Sequence, residues 1–188
     1  MPLILGIVAS GNYPRITGSY ESIATVTLGS STSSIEFTSI PSTFKHLQVR
    51  MSLRGADNTD GSYNVAIQLN GITSSVYSYH GLEGDGSSAS AFGGATQGNI
   101  FIGRCPSPFD HNATSNFNGM VLDILDYTDT NKYTTTRNFG GVDANGNGRL
   151  GLYSGSYQQT TAVSSLKIYV YGGNLATSSK AALYGIKG

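Results

Sequence analysis

Few residue runs in this chain could do chemistry, and each has a simpler structural reading. "GNGRLG" at 146–151 matches G-x-G-x-x-G. A dinucleotide site needs that run between a strand and a helix, with the pyrophosphate on the helix N-terminus. Here the following residues alternate as a strand does, so no cofactor is expected. "DANGNG" at 143–148 opens like a calcium loop, with Asp143, Asn145 and Asn147 as candidate ligands. The bidentate acid that should close the loop is replaced by Ser154. A tight turn between two strands is the expected reading, and a weak surface calcium site the alternative. "LDILDYTD" carries Asp123, Asp126 and Asp129. Spacings of three put successive acids on opposite faces of a strand, so Asp123 and Asp126 do not converge as an acid–base pair must. They are expected to cap turns or to pair with Arg104, Lys132 or Arg137.

The three histidines, His46, His80 and His111, have no metal-ligand spacing, and neither G-x-S-x-G nor H-E-x-x-H occurs. The single cysteine, Cys105, excludes an intrachain disulfide and reads as a small buried filler. "NAT" at 112–114 is a glycosylation sequon, relevant only to a protein secreted by a eukaryote. No catalytic, cofactor or metal residue is assigned.

Tyrosine is the abundant aromatic, with 12 copies and no tryptophan. In "SLKIYVYGG", Tyr169 and Tyr171 fall on the face opposite Leu166, Ile168 and Val170; Tyr77 and Tyr79 form a second pair at the same spacing. Packing against a neighbouring sheet or subunit is one reading. A platform for stacking a glycan is the other.

The elements that must position these residues are strands. "KHLQVRMSLRG" puts Leu47, Val49, Met51 and Leu53 on one face, and His46, Gln48, Arg50 and Arg54 on the other. "SYNVAIQLNG" turns Tyr63, Val65, Ile67 and Leu69 inward and ends in the turn pair Asn70-Gly71. Between them lies "ADNTDG", rich in turn formers. Further strands are expected near 22–28, 34–40, 75–82, 98–104, 118–127, 132–139, 149–154, 163–171 and 181–187. No segment shows a capped apolar stripe at helical spacing. Many short strands separated by turn signals predict a sandwich or barrel. The glycine- and serine-rich run 83–98 is expected to be a long loop, and 105–116 a second one stiffened by Pro106 and Pro108.

With 188 residues the chain can bury roughly 70% of its unfolded surface, enough to fold without staples. Lys and Arg together number 11, as do Asp and Glu, so the net charge is zero. That balance argues against nucleic acid as a partner, because phosphate contacts need a basic excess. No run of 18 apolar residues marks a membrane span. The start, "MPLILGIVAS", lacks the basic residues of a secretory leader. It reads instead as an apolar arm whose Leu3, Ile4, Leu5, Ile7 and Val8 need cover. Contact with another subunit is expected, and return to its own sheet as an extra strand is the alternative.

Three stretches carry a wider likeness: "YESIATVTLGSSTSSIEFTSIPSTFKHLQVRMSLRG" at 20–55, "MVLDILDYTDTNKYTTTRNFGG" at 120–141 and the ending "KAALYGIKG". With the apolar start, they resemble a group of bacteriophage virion proteins described as structural, fibre-like or decoration proteins. The resemblance covers most of the chain, and no functional residues carry over. It implies a non-enzymatic protein of the virion exterior that assembles as a homo-oligomer, commonly a trimer, and docks on capsid or tail proteins. The alternatives are a tail-associated receptor-binding protein that recognises a host glycan, and a polysaccharide-degrading enzyme, for which the chain is poor in acids. The expected fold is an all-β antiparallel sandwich, jelly-roll-like, with an anchoring arm over 1–18 and the β-sandwich domain over 19–188.

Overall fold

Alternating apolar residues become strands throughout, and the computed structural model, which describes residues 18–57, 62–108, 115–144 and 147–188, is all-β and antiparallel. The strands are β1 (Tyr20–Thr27), β2 (Ser34–Phe37), β3 (His46–Ser52), β4 (Ser62–Leu69), β5 (Tyr77–Gly84) and β6 (Ala89–Gln97). They continue with β7 (Ile100–Pro106), β8 (Gly119–Leu125), β9 (Thr134–Ala144), β10 (Asn147–Tyr157), β11 (Leu166–Val170) and β12 (Lys180–Ile186). Eight form one sheet in the order β1-β12-β3-β8-β9-β10-β5-β6. Four form the other, β2-β11-β4-β7. The apolar arm, with Leu3, Ile4, Leu5, Ile7 and Val8, lies outside the described residues.

The core forms where the sheets face each other. Leu47, Val49 and Met51 of β3 and Met120, Leu122 and Ile124 of β8 pack toward Val65, Ile67 and Leu69 of β4 and Leu166, Ile168 and Val170 of β11. All are buried, as the alternation requires. Gln48, expected on the polar face, is nevertheless buried, because its amide donates to Asp123 Oδ1 at 2.8 Å. Arg54, also expected there, is buried as well; it lies beyond the end of β3, where alternation no longer sets its direction.

Asn70 and Gly71 both adopt positive φ, at 54° and 66°, and Ile72 N–H donates to Leu69 O at 3.1 Å. The turn is therefore as the sequence signals. It does not close a hairpin, because β4 belongs to the small sheet and β5 to the large one.

The run 83–98 departs from expectation: it is a hairpin, not a long loop. Leu82 pairs with Ala91 and Gly84 with Ala89 in a β5–β6 ladder. The Asp85 carboxylate accepts from Ser87 N–H at 2.9 Å and Ser88 N–H at 2.8 Å, and Gly86 takes φ +90°. Those bonds hold the carboxyl far below the usual carboxylate range. "SSASAF" alternates, but its side chains are too small to register as a strand pattern. Of the second expected loop, 105–106 complete β7 and 109–114, with His111, lie outside the described residues.

The two sheets are unequal, and this shapes the surface. The inner faces of β9, β10 and β5 meet mainly β7, the edge of the small sheet. There the filling changes character. Thr134, Thr136 and Asn138 are buried on β9, and the Asn138 amide donates to Ile102 O. Rings then lie over glycines: Phe92 and Tyr153 cover Gly81, and Phe101 packs among Tyr79, Phe92 and Tyr153 at 5.4–5.7 Å between centroids. At the other end, Phe44 covers Gly185 of β12 so closely that a Cβ there would sit 2.2–2.4 Å from three ring atoms. Gly185→Ala is expected to cost about 1–3 kcal/mol by overpacking, measured by urea denaturation at unchanged m-value.

Candidate interaction surface

The outer face of the large sheet carries an arrangement that no single strand reveals. Val121 pairs with Phe139, Phe139 with Leu152, Leu152 with Leu82, and Leu82 with Ala91. Five apolar side chains thus stand in line across β8, β9, β10, β5 and β6. All face solvent: Val121 is 38% exposed, Phe139 51%, Leu152 56% and Leu82 50%. Four strand spacings make the band about 19 Å long. Single exposed leucines are ordinary; a contiguous line is not.

Two further rows flank the band. On one side lie Gly119, Gly141, Leu150, Gly84 and Ala89, again direct partners. Leu150 is the one large side chain there, 56% exposed. On the other side lie Asp123, Arg137, Ser154 and His80. Arg137 Nε donates to Asp123 Oδ2 at 2.8 Å, and Arg50 Nε to Gln48 Oε1 at 3.1 Å. The Arg50 guanidinium stands 5.4 Å from the Tyr184 ring centre and 6.0 Å from that of Tyr20. The surface over β1, β12 and β3 is thus charged and aromatic. Between these rows, His80, Leu82, Ala91, Val121, Phe139 and Leu152 line an open hollow.

The acids of "LDILDYTD" are committed to ion pairs and turns. Asp123 pairs with Arg137, and Asp126 with Lys45 at 2.9 Å and with Lys132. The lysines hold the Asp126 carboxyl down to about 2. His46 Nδ1 accepts from Asp126 N–H at 2.9 Å. Arg104 instead meets Glu83, an acid that belongs to no motif in the sequence. Glu83 is 2% exposed; both its oxygens lie 3.2 Å from Arg104 Nε, and Tyr153 donates to it at 2.9 Å. Burial, then the adjacent carboxylate, pushes the Tyr153 phenol far above its usual range. This is one buried acid held by cations and a phenol, and among the described residues no second carboxylate pairs with it. Among the described residues no group of three or more His, Cys, Asp or Glu could hold a metal. Residues 147–151 of the G-x-G-x-x-G run are part of β10, and a strand, not a helix, follows them. Cys105 is fully buried, and desolvation pushes its thiol up to about 12.

The four tyrosines divide. Tyr77 is fully buried and cannot face a partner: it stacks on Tyr157 at 5.2 Å, accepts from Leu69 N–H at 3.0 Å and donates to Ile72 O at 2.9 Å. Burial pushes its phenol up to about 12. Tyr79 packs against the core beside Phe101. Tyr169 and Tyr171 meet edge to face at 5.8 Å, and the Tyr171 hydroxyl donates to Asn99. Tyr171 is 38% exposed.

The band itself was not singled out from sequence, because it depends on the register of four ladders. A partial signal was present: in "RLGLYSG", Leu150 and Leu152 alternate with Gly151 and Gly155, which puts the large apolar residues opposite the close-packed glycine face. Gly155 lies against Ile100 and Thr136. The chain matches no protein-family model, and no curated protein matches it.

Glu83→Gln keeps the shape and removes the charge that Arg104 and Tyr153 address. Because Arg104 is partly exposed, the expected loss is about 1–3 kcal/mol, below that of a fully buried pair, checked by thermal and urea unfolding.

Proposed function

We propose that this chain is a non-enzymatic structural protein of a bacteriophage virion, on the particle exterior, of capsid-decoration or short-fibre type. It works by self-assembly and docking. The observation that carries this reading is the exposed apolar band across β8, β9, β10, β5 and β6. Contiguous exposed apolar rows on a folded domain mark interaction surfaces. Covering the exposed halves of these side chains contributes about 1 kcal/mol each, several kcal/mol for the row.

Two further features support it. Without the β5–β6 and β9–β10 hairpins, the remaining strands form β1-β12-β3-β8 facing β2-β11-β4-β7. That is the winding of a jelly roll, an architecture found in viral capsid proteins, although fold alone does not fix function. The two hairpins widen one sheet, and they hold most of the band. The balanced charge of 11 against 11 also lets copies approach without long-range repulsion. The bacteriophage setting itself rests on the resemblance of the strand and turn phrases.

The test is Leu152→Asp. The site is half exposed, so stability should change by no more than about 0.5 kcal/mol. Incorporation into virions of the phage that encodes the chain is expected to fall at least tenfold, read by quantitative mass spectrometry of purified particles. Incorporation at the wild-type level would overturn the reading.

A further inference from the structure

We infer that the apolar band is the seat of the N-terminal stretch Leu3–Val8 of a neighbouring copy of this chain. The inference deepens the assembly reading above and rests on it. Three observations point to this occupant.

The first is the match of chemistry and length. The band presents Val121, Phe139, Leu152, Leu82 and Ala91 along the floor of an open hollow, over about 19 Å. Residues 1–17 lie outside the described structure, and "LILGIV" at 3–8 is their apolar part. Six residues reach at most about 20 Å. A narrow apolar segment suits a hollow, whereas two copies of the same hollow placed face to face would not fill each other.

The second is the order of polarity. From the β1 edge toward β6, the outer face passes from the charged and aromatic surface of Arg50, Tyr184 and Asp123 to the apolar band. The chain passes in the same order, going back from Gly18, from the polar "ASGNYPRIT" at 9–17 to "LILGIV". A bound arm can set its polar part over the polar strands and its apolar part over the band; this order identifies the segment, and the direction of exit decides which copy supplies it.

The third is the direction of exit. Lys187 N–H donates to Ser19 O at 3.0 Å, so the chain still runs along the strand axis as it leaves β1. The exit lies at the Tyr20–Ile186 end of the sheet. The band is level with Thr25 and Ala182, to which Arg50 and Val121 are aligned. An arm returning to its own band must reverse its direction within the stretch 9–17. An arm continuing outward leaves its own sheet and is free to enter that of a neighbour.

The test joins one site on each partner in the full chain. Copies carrying Leu5→Cys are mixed with copies carrying Leu152→Cys and treated with a short bismaleimide; Cys105 is buried and stays silent. The expected result is a two-chain product from the mixture, with Leu5→Asp at least tenfold lower in oligomer content by sedimentation at micromolar concentration. A cross-link found only within single chains of the Leu5→Cys/Leu152→Cys double variant would place the arm on its own sheet and overturn the proposal. No cross-link in either format would also overturn it. If Leu152→Asp still blocks incorporation in that case, the assembly reading survives and the band takes another partner. If it does not, both fail.

Discussion

An eight-stranded sheet faces a four-stranded one, and most of the molecule's particular features follow from that inequality. A sheet is stable when one face is buried. Over β3, β12 and β8 the small sheet supplies that burial with aliphatic side chains. Over β9, β10 and β5 the cover comes mainly from the edge strand β7. There the protein closes the interior with rings over glycines, a row of buried threonines and an asparagine, and one carboxylate held by arginine and tyrosine. Close approach replaces bulk. The same strands that have little cover inside bear the large apolar residues outside, where the sheet's own chain, among the described residues, offers nothing to cover them.

That inversion explains why the sequence was legible in some places and not in others. The strands of the frame announce themselves, because "HLQVRMSL" and "YNVAIQL" alternate between large apolar and polar residues. In β6 and β10 the inward positions include Gly94 and Gly151, where the rings of Tyr79 and Tyr153 fill the space. A reading that looks for bulk on the buried face sees a loop at 83–98 and leaves β10 without a face. The Asp85 turn, with its carboxylate on two successive amides, was visible as turn chemistry but not as the closure of a ladder.

The candidate surface was less legible than the fold for a related reason. Tyr77 and Tyr79 share a face in sequence, yet one lies sealed between Leu69 and Tyr157 while the other packs at the edge of the aromatic cluster. Leu82, Val121, Phe139 and Leu152 are spread over about 70 residues, and only strand order and register bring them into one line. Local chemistry, by contrast, read well. The acids at 123 and 126 do not converge, each is met by a cation, and Cys105 is sealed in the core.

The account turns on whether the outer face of the widened sheet is an assembly surface. A virion reconstruction that counts copies of this chain and resolves their contacts tests that most directly. The account predicts many symmetry-related copies on the exterior, with Val121, Phe139, Leu152 and Leu82 covered by another chain. Particles in which that face points into solvent, or which lack the chain, would contradict it.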